Sequence, residues 1–238
     1  MEIVSWSPAL VIYRNLLSPR QTTDFLTYIE EGNLVTQKTS DDGKNRETTG
    51  RRANGSFFKH EAANITAEVH RELRFRIPAV NFTNAEHFSA LSYNPGGHYA
   101  IHSDYLDYSS EQQWDGWMKT MRNRMATLIF VLKPAETGGG TVFPKIGTTL
   151  RLNPGDAFFW FSMQPDEQKE VLTNHGGCPI YEGRKVIATL WVRAKYQSIL
   201  AVAPTGAPIR ADWLIPAMKE PIRKEIKSQC SVPATTES

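Results

Sequence analysis

The sequence predicts a mainly β fold of the α+β class, a sandwich or barrel with helices ahead of it. Three observations point there. From Ala90 onward the chain breaks into short segments of β character: "ALSYNPGGHYAIHSDY", "RMATLIFVL", "GGTVFP", "TTLRL", "DAFFWFSM", "EVLTNH" and "RKVIATLWVR". Gly, Pro and Asn clusters separate these segments, supplying the backbone conformations that turns between strands need. Ahead of them, apolar residues recur at helical spacing in two stretches.

In chain order, the N-terminal third reads as helical. Ser18 is placed to cap a helix, Pro19 suits its first position and Gly32 ends it. Phe25, Leu26 and Ile29 form its apolar stripe. "TQKTSDDGKNRETTGRRANGSFF" is polar and rich in turn residues, which predicts a long loop, a form that is often functional in a compact domain. A second helix is predicted from about Ile65 to Ile77, with Val69, Leu73 and Ile77 on one face and Pro78 as the stop. "SSEQQWDGWMKTMRNR" interrupts the strands as a short helix or a lid-like insertion. The tail beyond Lys195 is proline-spaced and mixed in charge, packing in part and fraying at "SVPATTES".

Length and composition exclude several classes. The 238 residues suffice for one sizeable core. With 40% apolar and 22% charged residues, the chain is neither disordered nor fibrous. A net charge of +2 gives no reason to expect nucleic acid or an acidic membrane as partner. No apolar run is long enough to span a bilayer. Cys178 and Cys230 make neither a disulfide framework nor a zinc pattern, and a single bridge between them is favoured over two free thiols. "MEIVSWSPAL" is not a signal peptide, so the chain is either cytosolic or has lost a leader. Three Asn-x-Ser/Thr triplets, at Asn54, Asn64 and Asn81, tilt the reading toward the secretory pathway.

The chemistry centres on "HYAIHSDY". In a strand, His102 and Asp104 face the same side, roughly 6–7 Å apart at about 3.3 Å per residue. Buried polar groups need a partner, and either a metal ion or a plain His–Asp hydrogen bond would serve. A third candidate, His175, stands in "VLTNHGGCP" between two predicted strands. Two histidines and one carboxylate on one face of an iron leave open positions, the arrangement of non-haem Fe(II) oxygenases. His98 lies about 13 Å from His102 along an extended strand, too far to share an ion. His60, His70 and His87 read as surface groups. Arg184 and Lys185 point to opposite faces of the last strand, so only one enters a pocket.

"YNPGGHYAIHSD", "NRMATLIFVLKPAETGGGTVFP", "GDAFFWF" and "NHGGCPIYEGRKVIATLWV" resemble the catalytic domain of the collagen-type prolyl 4-hydroxylases, 2-oxoglutarate- and Fe(II)-dependent dioxygenases. The resemblance spans roughly Ile3 to Val192. It implies a double-stranded β-helix, or jelly roll, with helices outside. It implies His102, Asp104 and His175 as iron ligands and Lys185 as the partner of the far carboxylate of 2-oxoglutarate. Tyr93, Thr141 and Trp191 match residues of the cosubstrate pocket. The family carries glutamine where His98 stands and tryptophan where Val186 stands. The implied units are a catalytic domain over residues 1–200, with helices at about 18–80 and the jelly roll at about 88–195, and an extension over 201–238. The implied reaction uses O2, 2-oxoglutarate and Fe(II), with ascorbate as rescuing reductant, to hydroxylate C4 of proline in a proline-rich or collagen-like peptide. With no upstream peptide-binding domain expected, Arg51, Arg52, Trp114, Trp117 and Arg124 are the candidate peptide contacts, since polyproline segments dock on aromatic-lined grooves. An endoplasmic-reticulum location and a protein disulfide isomerase-like partner or self-association complete the expectation. The competing readings are a family member acting on another residue or small molecule, and a non-catalytic metal-binding jelly roll.

Overall fold

The computed structural model describes residues 1–37, 39–41, 44–46 and 50–215. The chain opens with β1 (Glu2–Trp6) and β2 (Ala9–Tyr13), then α1 (Pro19–Glu31), β3 (Val35–Thr36), β4 (Thr39–Asp41), β5 (Lys44–Arg46), β6 (Arg51–Arg52) and β7 (Asn54–Phe58). It continues with α2 (Asn64–Arg76), β8 (Phe88–Tyr93), β9 (His98–His102), α3 (Gly116–Met121) and β10 (Arg124–Lys133). Then come β11 (Thr137–Gly138), β12 (Thr141–Phe143), β13 (Thr148–Leu150), β14 (Ala157–Phe161), β15 (His175–Gly177), β16 (Ile180–Glu182), β17 (Lys185–Arg193) and α4 (Ser198–Val202).

Two antiparallel sheets form the jelly roll. The larger runs β1-β2-β14-β10-β17-β8-β7-β3 and the smaller β13-β12-β15-β9-β6, with β11–β16 and β4–β5 as separate ribbons. Side chains alternate along the central strands and so divide the core in two. Leu10, Ile12, Ile129, Val131, Phe158, Trp160 and Ile187 face the small sheet, where they meet Phe143 and Leu150. Val11, Leu128, Phe130, Phe159, Ala188 and Leu190 face the other way, onto Phe25 and Ile29 of α1 and Val69 and Leu73 of α2. A sheet covered on both faces reads as unbroken apolar runs, which explains "LIFVL" and "AFFWF".

Both predicted helices form. Ser18 Oγ accepts from the Gln21 amide while Gln21 Oε1 accepts from the Ser18 amide, a reciprocal cap that starts α1. Two sequence expectations are corrected. The N-terminal third is not helical throughout: β1 and β2 precede α1, and β2 pairs with β14 inside the large sheet. Its five residues are all buried, and a short apolar run without polar alternation carries no period to read. The predicted loop also contains β6, paired with β9, and β7, paired with β8. A Cβ at Gly55 would stand 2.4 Å from the Ala90 carbonyl oxygen, so here glycine permits close strand approach rather than a turn.

Beyond β17, Ile209, Ala211 and Leu214 are buried against the outer core. Residues 216–238, with Cys230, lie outside the described residues, and the expected pairing of Cys178 falls there too.

Candidate active site

Strand pairing assembles the metal candidates. β15 runs antiparallel to β9 with His175 directly opposite His102, and the imidazole centroids are 4.4 Å apart. Asp104 was expected on the same strand face as His102. It lies two residues past the end of β9, where the chain turns inward and buries it to 5% exposure. His102 Nε2 stands 3.7 Å from Asp104 Oδ1, and His175 Nε2 stands 3.7 Å from Asp104 Oδ2. That is too long for a hydrogen bond. It suits an ion: two ligand atoms each about 2.1 Å from a metal sit about 3.0–3.6 Å apart at angles of 90–120°.

The surrounding bonds set the protonation states a metal needs. Carbonyl oxygens of Ala100 and Thr173 accept from Nδ1 of His102 (2.8 Å) and His175 (3.1 Å), so Nε2 of each ring is the nitrogen turned toward Asp104. Burial and the neighbouring His175 push His102 down to about 3, so its ring is neutral at pH 7. Burial raises the Asp104 carboxyl, but His175, His102, Arg124 and a 2.6 Å bond from the Thr127 hydroxyl together hold it below the ordinary carboxylate range. Two imidazoles and one carboxylate in van der Waals reach of one point fit a ferrous ion.

A narrow pocket runs from these three side chains to Lys185. Lys185 faces inward, its ammonium donating to the Gly139 carbonyl (2.7 Å) and the Thr141 hydroxyl (3.3 Å). Arg184, which the alternation placed on the opposite face of the last strand, stands just before β17 and pairs with Glu30 of α1. Burial pulls Lys185 down to about 8, and among the described residues no carboxylate pairs with it. A buried cation without a counter-ion, across a pocket from a metal-type triad, fits a small diacid.

The other predicted residues divide. Tyr93, Thr141, Trp191 and Arg51 line the pocket. Burial pushes the Tyr93 phenol up to about 12, so it stays protonated. The Arg51 guanidinium lies 4.6 Å from the Tyr99 ring. Arg124 stacks 3.8 Å over Trp191 and is clamped by Glu86, which places it behind the pocket wall. Arg52 is exposed at β6, outside the pocket. Trp114 and Trp117 are half-buried on the insertion and do not line it; Trp117 packs its ring edge to face with His87.

Sequence reasoning missed Thr127, Tyr99 and Glu86. Thr127 carried a readable signal, a single hydroxyl in an otherwise apolar strand. Tyr99 stacks on His102 at 3.6 Å, a contact between residues that strict alternation puts on opposite faces and that the irregular register of β9 against β15 permits.

Among the described residues a second group, His60, Glu61 and His70, brings potential ligand atoms within 4.8 Å. The two rings stack at 3.7 Å with 13° between planes. A ligating imidazole holds its metal near the ring plane, and nearly parallel planes share no such point. Their Nε2 atoms meet the Glu86 (2.9 Å) and Phe82 (3.0 Å) carbonyls instead. His60, His70 and His87 are half-buried rather than on the surface as the sequence suggested, because both stacked rings pack on the edge of Phe88.

Comparison with known proteins agrees with this site. The 2OG-Fe(II) oxygenase superfamily matches residues 88–193, which hold the triad and Lys185. Prolyl 4-hydroxylase 1 of Arabidopsis thaliana is 30% identical over 213 residues, covering 83% of this chain and 73% of the relative. Prolyl 4-hydroxylase subunit alpha-2 of Caenorhabditis elegans is 26% identical over 201 residues, 83% of this chain but 36% of that longer subunit. The crystal structure of the viral collagen prolyl hydroxylase of Paramecium Bursaria Chlorella virus-1, in its 2OG complex, shares the fold with a TM-score of 0.58 at 24% identity, covering 78% of this chain and 96% of that one. Fold and site define an oxygenase of the 2OG-Fe(II) class. Within that class, the chain belongs to the prolyl 4-hydroxylase family.

Proposed function

We propose that this chain hydroxylates proline at C4 in proline-rich or collagen-like peptides, consuming O2 and 2-oxoglutarate and releasing succinate and CO2. One observation carries the reading: a His–Asp–His set with 3.7 Å gaps at one end of a pocket, and at the other a buried lysine that no carboxylate among the described residues pairs with. His102, Asp104 and His175 would hold Fe(II), whose chemistry when bound is the oxidative activation of dioxygen at the expense of 2-oxoglutarate.

The chain's own residues do the rest. Lys185 neutralises the far carboxylate of the diacid and Thr141 accepts a bond from the same ammonium, which fixes its direction. The Tyr93 phenol offers a proton donor along the same wall. Thr127 holds the Asp104 carboxylate in one orientation. Leu91, Ile129 and Ile187 give the pocket wall apolar surface, which disfavours water beside the reacting groups. Arg51 and Trp191 are the peptide-facing candidates at the pocket. Ascorbate enters as the reductant for turnovers that run without peptide, supported by the family resemblance alone. A secretory location and a disulfide isomerase-like partner extend the proposal; their support is that resemblance and the sequons, of which Asn54 and Asn64 are exposed.

The test is mass spectrometry of a panel of proline peptides, (Pro-Pro-Gly) repeats and non-collagen sequences, incubated with Fe(II), 2-oxoglutarate and air. A gain of one oxygen on proline with one succinate per product is expected, and none with His175→Ala. Succinate release driven by another amino acid or small molecule, with every proline peptide unmodified, would reassign the substrate.

A further inference from the structure

We propose that Arg193 is a positioning residue of this site, tying the α3 insertion to the pocket wall so that Trp191 presents a fixed face to the peptide. The inference rests on the proposed function for its kinetic consequence, and on geometry alone for its structural one. It starts from an unfavourable arrangement. Arg124 opens β10, Arg193 closes β17, and the two are register partners across the strand pair. Like charges directly opposite one another repel. Both are also withdrawn from water, Arg193 to 1% exposure.

Glu86 resolves the repulsion. Its Oε1 accepts from Arg124 Nε and from Arg193 Nη2, each at 2.7 Å, while Oε2 accepts from Arg124 Nη2 at 2.8 Å. Burial works against this carboxylate, yet the two guanidiniums hold its ionisation below the usual range. The Glu86 amide also donates to the Trp191 carbonyl at 2.8 Å. One acidic residue therefore grips both arginines and the backbone of the wall.

Arg193 then reaches out of the sheet. Its Nη1 donates at 2.8 Å to the carbonyl of Arg122, the residue that ends α3 with φ +67°. The Trp117 ring, on α3, lies 5.6 Å from its Cζ. At the other end of the cluster, behind the pocket wall, Arg124 lies flat on Trp191 at 3.8 Å. The contacts run unbroken from Trp117 through Arg193, Glu86 and Arg124 to Trp191. A rigid guanidinium fork can hold two such directions at once, and a lysine cannot. A buried ionic cluster is a poor source of stability compared with apolar packing, so geometry is the property it supplies here.

Two measurements on the full chain test this. The first is ¹⁹F NMR of 5-fluorotryptophan protein, with the six resonances assigned by single Trp→Phe substitutions. Arg193→Met and Arg193→Lys should each move the Trp191 signal together with that of Trp117, leaving Trp6 unchanged. The second is steady-state kinetics. The peptide KM should rise about tenfold, as small displacements at a site commonly produce, while 2-oxoglutarate affinity stays within about twofold. If either variant fails to fold, Trp117→Leu at the half-exposed end should still shift the Trp191 signal. Movement of Trp117 alone, with Trp191 and the peptide KM unchanged, would overturn the inference. If the wild-type protein turns over no proline peptide, the functional reading fails by itself, and the ¹⁹F shifts still decide the positioning role.

Discussion

Lys185 is costly to the empty protein and useful to the loaded one. Burial pulls its folded pKa down to about 8 from the ordinary 10.5, so the ammonium opposes folding by about 3 kcal/mol at neutral pH. The penalty is full below about pH 8, shrinks as pH rises, and vanishes above about 10.5, where both states are neutral. Lys185→Met should therefore raise the melting temperature of the ligand-free protein, by the equivalent of about 1–3 kcal/mol. The same substitution should abolish the thermal shift produced by 2-oxoglutarate. In the wild-type protein that shift should weaken as pH rises through 8, because the anchoring charge is lost. Differential scanning fluorimetry across pH with both proteins checks all three outcomes. Thr127 makes a quieter contribution. Thr127→Val should leave Asp104 Oδ2 without its 2.6 Å donor and weaken metal affinity by about 10–100-fold, read by calorimetry with Mn(II).

The decisive element is the β9–β15 pair, which sets His102 against His175. Its close approach depends on Gly176, where a Cβ would come within 2.8 Å of Ile101 Cδ1 and 3.0 Å of the Tyr99 carbonyl oxygen. Gly176→Ala should force the strands apart, cost about 1–3 kcal/mol in denaturant unfolding, and weaken metal binding more than stability. Equal affinity for Mn(II) in the variant would show that the strand spacing does not set the site. The same element marks how far sequence could be read. His102 and His175 were legible because each stands in a turn-bounded strand signature, and α1 was legible from Ser18, Pro19 and Gly32. Asp104 was found for an incomplete reason: the period-two argument put it on the strand, whereas a bend past the strand end delivers it. β2 and β7 were missed, one for lack of alternation and one because it lies in a polar stretch rich in turn residues. Spacing left Arg184 and Lys185 equivalent. Only the position of Glu30 on α1, far away in sequence, shows why the first faces outward. The Glu86–Arg124–Arg193 cluster has no local pattern, since its members meet only when β10, β17 and the segment before β8 come together.

At the scale of the whole molecule, the two cores explain why a small site can be so exact. The outer core, between the large sheet and the two long helices, braces one face of β10, β17 and β14. The inner core leaves its open end to the pocket, where Lys185 hangs from β17, a strand buried along its whole length, while His102 and His175 face inward from the smaller sheet. Substituting the site should then alter ligand binding while leaving the scaffold cooperative in unfolding. The central claim is that one metal ion sits among residues 102, 104 and 175 with a diacid running from it to residue 185. It is tested most directly by anaerobic titration of the metal-free protein with Fe(II) in excess 2-oxoglutarate, following the visible charge-transfer absorption of the chelate. An endpoint at one equivalent per chain is predicted, absent in Asp104→Ala and requiring far more 2-oxoglutarate in Lys185→Met. A full signal at one equivalent in both variants would contradict the account.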